Sequence, residues 1–527
     1  MSMITATTWV PRGFAAPFPE KYQFDEDEYE RISQLAKLQL DDAKEDLEEA
    51  QAEKEDKSDG KSKSKNHDDD DDDLKEYDLE HYDDEVDEAA GDTMAMFGNA
   101  NNLVFHENDE DDPYITMQGN EDEDDEEREE LQILATDNLV LAGRIEDEVA
   151  HLEVYVYEDE DDNLYVHHDI MLPAIPLAVE WLDLPVGKSA ASSSTGRGNT
   201  VAIGTMDPDI ELWNLDVVDS MYPDAVLGQG SEDAGADKPK KKKKKSKKAN
   251  DNFHVDSVLS LAANRQHRNL LASSSADKTV KLWDLNTTKC AKSYTYHTDK
   301  VCSVAWHPTE STVLLSGSYD RTVVAADMRT PEAKAPRWGV ESDVETVRWN
   351  PHDPNYFYIS TENGMIHYHD TRMAPADPSQ SKPAWVLQAH DESISSFDIN
   401  PIIPGFLVTG STDKQVKLWN VQENGPSMVV SRDLGVGRVF STSFAPDKQV
   451  GFRLAVAGSK GSVQIWDTST NAAVRAAFAS KVPQMKPGAK ERLVGLEESD
   501  TDSDTDEGES NDEDEGEQEK GWESMEE

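Results

Sequence analysis

The sequence is poor in cysteine, with only Cys290 and Cys302 among its 527 residues. Small secreted domains usually depend on several disulfides, so this scarcity argues against that class and favours a reducing compartment. We expect both thiols to be buried near a blade strand and to be chemically inert.

Long apolar stretches are also missing from the sequence. No segment approaches the roughly 18 apolar residues of a membrane span, so no membrane contact is predicted. The N-terminal residues MSMITATTWVPRG lack a basic region followed by an apolar run, which argues against a secretory leader. Together these absences predict a soluble intracellular protein.

Positive charge is scarce relative to negative charge. The chain has 51 Lys and Arg residues against 109 Asp and Glu residues, for a net charge of −58. Most of the acids lie in residues 1–130 and 497–527. Such segments cannot bury enough apolar surface to offset the entropy lost on ordering, so we predict a long, acidic, disordered extension at each end.

The N-terminal extension contains a few segments that favour partner docking. Residues 25–52 carry one narrow apolar stripe at helical spacing, which predicts a short helix. Apolar islands interrupt the acidic run at Met94–Phe105 and at Asp112–Ile115. From the first residues and the second island we predict six docking residues: Trp9, Val10, Pro11, Arg12, Pro113 and Tyr114.

Against this background one short pattern keeps returning, an apolar residue followed by tryptophan and then an acid or amide. It closes four segments and, in degraded form, two more: Glu211–Asn214, Lys281–Asp284, Lys417–Asn420, Gln464–Asp467, Val324–Asp327 and His367–Asp370. From Trp283 onward the copies recur about every 43 to 50 residues, close to the 40–45 of a four-stranded propeller blade.

The repeat predicts an all-β fold, a seven-bladed WD-repeat β-propeller over residues 131–496. A lysine-rich insertion at residues 219–252 interrupts it after the second blade. The first blade is divergent in its pattern, with Tyr155 near the tryptophan position.

Polar residues recur together with the tryptophan in the better copies. In WD-repeat propellers, which these copies resemble, such residues form a buried chain in which Trp donates to a hydroxyl, the hydroxyl to His, and His to Asp. A satisfied buried network fixes strand register, so we assign these residues a structural role. They are His254, Ser273, Asp277, Trp283, His390, Thr409, Asp413 and Trp419.

Motifs for catalysis or metal binding are not found in the sequence. No nucleophile–base–acid set, HExxH or paired CxxC motif occurs, and the pair His167–His168 lacks further ligands at suitable spacing. The sequence therefore predicts a protein that is not an enzyme and that has no metal, cofactor or small-molecule substrate.

The insertion contains a dense lysine run in an otherwise acidic chain. Such a run favours nuclear import through an importin, and it also suits non-specific, salt-dependent binding of nucleic-acid phosphates. It has no interleaved aromatic residues on which bases would stack. The nine lysines are Lys238, Lys240, Lys241, Lys242, Lys243, Lys244, Lys245, Lys247 and Lys248.

The C-terminal extension embeds four hydroxyl residues in acids, a pattern that resembles casein kinase II substrates. Each phosphate would add about −1.5 to −2 of charge. A plain solubilising tail is the alternative interpretation. The predicted phosphorylation sites are Ser499, Thr501, Ser503 and Thr505.

Several segments taken together resemble the periodic tryptophan protein 1 family of eukaryotic WD-repeat proteins. They are the N-terminal Trp9–Gly13, the Asp112–Ile115 island, the stretch Asn199–Asp216, the lysine-rich insertion that follows it and the acidic Ser/Asp tail. The resemblance implies a nuclear, largely nucleolar protein that acts as a non-catalytic scaffold or assembly factor in ribosome biogenesis. It also implies a role in large-subunit (pre-60S) precursor rRNA processing.

The partners expected from this resemblance are pre-ribosomal assembly factors and precursor rRNA of the large subunit, with ribosomal proteins or histones as further candidates. An alternative hypothesis is a chromatin-associated adaptor that binds histone tails at ribosomal genes. Peptide binding by the propeller without RNA would favour that alternative, and co-sedimentation with pre-ribosomal particles would favour the scaffold.

Overall fold

The computed structural model describes most of the repeat region and the first residues of the chain. The described residues are 2–22, 128–129, 131–187, 190, 196–228, 250–330, 334–479, 481–482 and 491–495. The chain divides into a larger compact unit, made of residues 1–14, 136–213 and 223–527, and a smaller one, made of residues 15–135 and 214–222. The predicted helix at 25–52 and the tail at 497–527 lie outside the described residues.

The described residues are mostly β-strand. The first ten strands are β1 (Ser2–Val10), β2 (Glu20–Lys21), β3 (Asn138–Glu146), β4 (Val149–Glu158), β5 (Asn163–Leu172), β6 (Pro176–Leu182), β7 (Thr200–Thr205), β8 (Ile210–Asn214), β9 (Val217–Val218) and β10 (Ala225–Leu227). The next ten are β11 (Val258–Ala263), β12 (Leu270–Ser275), β13 (Val280–Asp284), β14 (Lys289–Tyr294), β15 (Val301–Trp306), β16 (Val313–Ser318), β17 (Thr322–Asp327), β18 (Arg337–Gly339), β19 (Val344–Trp349) and β20 (Tyr356–Thr361). The last ten are β21 (Met365–Asp370), β22 (Trp385–Gln388), β23 (Ser396–Ile399), β24 (Phe406–Gly410), β25 (Val416–Gln422), β26 (Gly425–Arg432), β27 (Val439–Phe444), β28 (Arg453–Gly458), β29 (Val463–Asp467) and β30 (Arg492–Gly495). One short helix, α1 (Ala472–Ala477), lies before β30.

The larger unit is a seven-bladed β-propeller, which confirms the predicted fold. Each blade is a four-stranded sheet, and each inner strand contacts the inner strand of the next blade, so that the ring closes. From the inside outward the blades are β1-β3-β4-β5, β6-β7-β8-β10, β11-β12-β13-β14, β15-β16-β17-β18, β19-β20-β21-β22, β23-β24-β25-β26 and β27-β28-β29-β30.

The innermost strand of blade 1 comes from the N-terminus rather than from the repeat region. β1 pairs antiparallel with β3, with Ser2 opposite Glu146 and Val10 opposite Leu139. The predicted boundary at residue 131 is therefore wrong for these residues, which belong to the propeller. Their run of threonine, tryptophan and valine suits a strand that is buried between two neighbours.

The hydrophobic core lies between the faces of adjacent blades. One cluster joins Tyr155 and Ile4 of blade 1 to Ile465 of blade 7, and another joins Phe357 of blade 5 to Leu315 of blade 4. Because successive strand residues point to opposite faces, a blade that is covered on both faces needs apolar residues at consecutive positions. The repeat region shows such runs.

Tryptophan side chains tie the inner strands to one another. The Trp306 indole Nε1 donates to the carbonyl of Ala262 in the preceding blade (2.9 Å), and Trp349 does the same to Ala305 (3.1 Å). Trp9 occupies the equivalent position in blade 1 and donates to the carbonyl of Ser443 in blade 7 (3.1 Å). The Trp9 side chain is only 6% exposed, so it closes the ring.

The WD-type tryptophan position is filled differently in the degraded blades. Tyr155 occupies it in blade 1, with the same irregularity against the outer strand that accompanies Trp283 and Trp419. In blade 5 the residue is His369, which is 1% exposed and stacks on Phe357. Neither ring nitrogen of His369 has a hydrogen-bond partner among the described residues.

The smaller unit is built around a short parallel pair of strands. β2 pairs with β9, and the backbone N–H groups of Glu20 and Tyr22 donate to the carbonyls of Asp216 and Val218. The Asp216 carboxylate also accepts from the Ala16 N–H at 2.9 Å.

Removing the Trp9 side chain is expected to destabilise the propeller. Trp9→Ala deletes a buried indole and its inter-blade hydrogen bond, and should lower the free energy of unfolding by about 3–5 kcal/mol. Phe18→Ala, at an exposed ring in the smaller unit, should change it by only about 0.5 kcal/mol. Denaturant unfolding of both variants tests the assignment, and equal stability of Trp9→Ala and wild type would contradict it.

Replacing the unpartnered His369 is expected to stabilise blade 5. His369→Leu has nearly the same volume and removes a buried polar group, so unfolding should cost about 1 kcal/mol more. In the matched variant His254→Leu, the hydroxyl and carboxylate partners of a bonded histidine are left unpaired, and stability should fall by about 3 kcal/mol. Chemical denaturation should therefore show a higher free energy of unfolding for His369→Leu and a lower one for His254→Leu. A lower free energy of unfolding in both variants would count against this interpretation of His369.

Candidate interaction site at the central channel

The seven inner strands surround a polar channel with a volume of about 520 Å³. Equivalent positions on successive strands form rings of side chains. The ring near the start of the inner strands consists of Thr5, Leu177, Leu259, Cys302, Glu345, Ser395 and Phe440. Near the opposite end the charged lining residues are Glu180, Arg348 and Asp398.

Hydroxyl groups form a belt in the middle of the channel. On four inner strands a serine Oγ accepts the backbone N–H of the next inner strand, which satisfies a group that has no partner within its own sheet. These bonds are Val304 N to Ser260 (3.4 Å), Val347 N to Ser303 (3.2 Å), Thr442 N to Ser396 (3.0 Å) and Thr7 N to Ser441 (3.0 Å). The channel wall is therefore fixed by hydrogen bonds between blades.

Glu345 is a carboxyl group of the channel with a raised pKa. Its pKa is raised from 4.5 to about 7, first by burial and then by the nearby carboxylates of Glu362 and Asp343. The same surroundings raise the pKa of the Tyr319 hydroxyl, mainly through burial. This end of the channel therefore disfavours negative charge on the groups that line it.

Cys302 lies beside Glu345 but is not activated for chemistry. Its thiol donates to the carbonyl oxygens of Gly317 (3.2 Å) and Val344 (2.9 Å). Burial raises its pKa well above the usual 9.0, whereas a nucleophilic cysteine needs a lowered pKa. The structure places Cys302 in a packing role, as expected of it.

Carboxylates at the other end of the channel bind backbone groups of the neighbouring blade. Glu180 accepts from the Ala263 N–H (3.1 Å) and from Arg265 (2.9 Å). Asp398 accepts from the Phe444 N–H at 2.9 Å, and burial raises its pKa although Arg348 opposes the shift. These residues link blades as well as lining the channel.

The structure brings together the four residues assigned to each blade network. In blade 3 the Trp283 Nε1 donates to Ser273 Oγ (2.8 Å), and His254 bridges Ser273 (2.7 Å) and Asp277 (2.9 Å). Because the serine oxygen accepts from Trp283, its own proton points to His254 Nε2, and His254 Nδ1 donates to Asp277. Hydrogen bonds to the Asp277 carboxylate, first from His254, hold its pKa near 2 against its burial.

Blade 6 repeats this geometry. Trp419 donates to Thr409 (3.0 Å), and His390 bridges Thr409 and Asp413 at 2.8 Å each. The histidines of both networks are 1% exposed. A serine–histidine–aspartate set that is sealed from solvent has no access to a substrate, so its role here is structural.

The docking interpretation of the first residues is wrong for Trp9 and Val10. Both side chains are buried in the propeller, Val10 at 1% exposure, so a partner does not reach them. Arg12 is also engaged, because it donates to Asn138 and Gln449 at 2.7 Å each. Pro11 lies between these fixed residues.

Several predicted sites fall on residues that the structure does not describe. These are the docking residues Pro113 and Tyr114, the nine lysines of the 238–248 run and the phosphorylation sites Ser499, Thr501, Ser503 and Thr505. They stay predictions.

Five arginines of the described surface are each held by a carboxylate, whereas the exposed Arg348 and Arg438 form no ion pair with another described residue. The pairs are Arg265–Glu180, Arg268–Asp183, Arg321–Asp343, Arg329–Asp327 and Arg372–Asp370.

Within the described ranges, no cluster of three or more His, Cys, Asp or Glu side chains is placed to hold a metal ion. Among those same ranges, no helix is long and apolar enough to cross a membrane.

Sequence reasoning missed the inner position of β1, although a signal was present. Trp9-Val10-Pro11 repeats the tripeptide pattern Trp-x-Pro of Trp306–Pro308 and Trp349–Pro351, which end the inner strands of blades 4 and 5. Glu345 was also missed, because its raised pKa depends on burial and on carboxylates outside its own strand, which no local sequence pattern indicates.

Neutralising Glu345 is expected to change the pH dependence of stability. The folded-state pKa lies above the unfolded value of 4.5, so the carboxyl's stabilising contribution is present below pH 4.5 and is lost as pH rises through about 7. Between pH 5 and pH 8 the wild type should lose about 2 kcal/mol relative to Glu345→Gln. Glu423→Gln, at an exposed turn, serves as the control. Unfolding curves with the same pH slope for wild type and Glu345→Gln would contradict the prediction.

Comparison with known proteins places these features in a family. The family described as WD domain, G-beta repeat matches residues 248–284, 288–324 and 381–420. The chain is 52% identical to an uncharacterized WD repeat-containing protein of Schizosaccharomyces pombe, over 94% of this chain and 95% of that protein. It is 41% identical to Periodic tryptophan protein 1 of Saccharomyces cerevisiae, over 93% of this chain and 92% of that protein. It is 31% identical to Periodic tryptophan protein 1 homolog of Drosophila melanogaster, over 91% of this chain and 96% of that protein. The chain therefore belongs to the periodic tryptophan protein 1 family of WD-repeat proteins.

Proposed function

We propose that this protein is a non-catalytic scaffold in nucleolar ribosome biogenesis, acting in large-subunit precursor rRNA processing and pre-ribosome assembly. The observation that carries the proposal is membership of the periodic tryptophan protein 1 family over more than nine-tenths of the chain. WD-repeat propellers of this kind typically act as platforms for protein interaction, which supports the scaffold role.

The geometry of the propeller favours a platform over an enzyme. The hydroxyl–histidine–aspartate sets of blades 3 and 6 are buried, and Cys302 in the channel has a raised pKa. The channel wall is held by hydrogen bonds between blades rather than by mobile loops. A rigid ring with fixed faces positions partners without reacting with them.

The distribution of charge suggests how the two partner classes are divided. Five arginines of the described surface are neutralised in ion pairs, which favours assembly factors over rRNA phosphates at those parts of the propeller. Contact with precursor rRNA is assigned to the lysine run, which also serves as the importin signal. The acidic remainder of the chain attracts basic proteins such as ribosomal proteins or histones.

The lysine run is expected to control both localisation and RNA contact. Replacing Lys240–Lys245 by alanine should remove nucleolar accumulation of the tagged protein, because it deletes the densest part of the import signal. In wild-type cells, ultraviolet crosslinking followed by sequencing of the attached RNA should give focused sites in large-subunit precursor rRNA. Substitution of three scattered exposed lysines, Lys278, Lys414 and Lys448, is the control and should change neither result.

A second variant separates the two roles of the run. An unrelated nuclear import signal is added to the Lys240–Lys245 variant, which restores entry without restoring the lysines. Crosslinks that stay absent would assign RNA contact to the run, whereas crosslinks that return would assign it elsewhere in the chain. No enrichment of precursor rRNA in the wild type would contradict a direct role, and binding of a histone peptide would then favour the chromatin adaptor.

A further inference from the structure

A groove made of three neighbouring cavities lies in the outer parts of blades 4 and 5. The cavities have volumes of about 330, 530 and 740 Å³; the first two share Pro336 as a lining residue, and the last two share Pro375. Apolar side chains along it include Trp349, Tyr356 and Met373, of which Met373 is 71% exposed. We name it the blade-4/5 groove.

The groove exists because the outer edge of blade 4 is incomplete. β18 has three residues and pairs with Thr322–Val324. Among the described residues, the second half of β17 has no paired outer strand, apart from one backbone hydrogen bond from Ala325 N–H to the Pro336 carbonyl at 3.2 Å. At the WD-type tryptophan position blade 4 has Ala326, which fills far less volume than an indole. The walls are instead supplied by the segments that lead into β18 and β22.

The groove is cationic although the chain as a whole is strongly acidic. Asp327 and Asp370 are each neutralised by an arginine two residues later, at 2.6 Å. The remaining charged residues that line the groove are three cations, Lys334, Arg337 and Lys382, and one acid, Glu310, so the lining has an excess of positive charge. A matching occupant is acidic and carries apolar anchors.

We propose that the blade-4/5 groove binds the C-terminal segment of the same chain, residues 513–527. This segment reads EDEGEQEKGWESMEE and holds eight acids, one lysine and two large apolar residues, Trp522 and Met525. Trp522 and Met525 fill the apolar floor, and the flanking glutamates face the lysines of the rim. The lysine run of the insertion has the wrong charge for this groove.

The segment is long enough to reach the groove. β30 ends at Gly495, so 26 residues separate the last strand from Trp522. An extended chain spans at most about 3.3–3.6 Å per residue, or roughly 90 Å here. A folded unit of about 350 residues has a radius of gyration of about 20 Å. Every face of the propeller is therefore within range.

Attachment to the same chain makes even weak binding effective. A tethered segment has an effective concentration on the order of 1 mM, so a contact with a Kd of about 0.1 mM occupies the groove in roughly nine molecules of ten. A second copy of the chain at micromolar concentration does not compete at that level. The inference is independent of the proposed function.

The test is lysine acylation of the purified full-length chain, read by mass spectrometry at each lysine. In the double variant Trp522→Ala and Met525→Ala, acylation of Lys334 and Lys382 should rise about tenfold, as the occupied fraction falls from nine-tenths towards zero. Lys414 and Lys448, exposed on other blades, are internal controls and should not change. Equal reactivity of Lys334 and Lys382 in the two proteins would overturn the proposal.

A second measurement distinguishes occupants. Carbodiimide crosslinking of a mixture of isotopically labelled and unlabelled full-length chains should give links from the 513–527 carboxylates to Lys334 or Lys382 within one isotopic form. Links between the two forms would show a second copy in the groove, and links only to the 238–248 lysines would place the segment elsewhere. Either result would overturn the proposal.

Discussion

The hydrogen bond from the Trp9 indole to the Ser443 carbonyl joins residues that are 434 positions apart, and the ring depends on it. β1 is the innermost strand of blade 1, and it contacts the inner strands of both neighbouring blades, β6 of blade 2 and β27 of blade 7. Without β1, blade 1 therefore lacks its inner contacts with blades 2 and 7. A second contact between blades 7 and 1 lies farther from the channel, where the Arg453 guanidinium donates to the Asp159 carboxylate at 2.7 Å. Because contacts of large sequence separation carry the greatest closure entropy, we expect the ring to close late in folding.

Once the ring is closed, the individual blades tolerate large departures from the repeat pattern. Blades 3 and 6 use the full tryptophan–hydroxyl–histidine–aspartate chain. Blade 1 uses Tyr155 instead, whose hydroxyl donates to Glu153 at 2.5 Å, with Arg144 balancing the carboxylate at 2.8 Å. Blade 5 keeps only packing around His369. The common requirement is a large group that fills the space between blades, and the polar network is one way to fix its position.

The periodicity of tryptophan and aspartate was sufficient to predict the architecture, because each copy marks the same strand of a blade. The resemblance to WD repeats, rather than the period itself, implied which polar residues meet within a blade, as at His254 and Asp277, which lie 23 positions apart. It did not predict contacts between blades. The burial of Trp9 and the perturbation of Glu345 arise from strands that are remote in sequence, and the cationic groove arises from a strand that is shorter than its repeat position predicts. For Trp9 the Trp-x-Pro pattern is a usable local signal, whereas no local pattern indicates the neighbours of Glu345 or the short β18.

The position of β1 also changes the status of the acidic N-terminal segment. Because β1 ends at Val10 and β3 begins at Asn138 in the same blade, the residues between them are an insertion with both ends fixed, rather than a free arm. The entropy cost of closing a loop grows only slowly with length, about 0.6 kcal/mol for each doubling, so an insertion of this size is compatible with a stable ring.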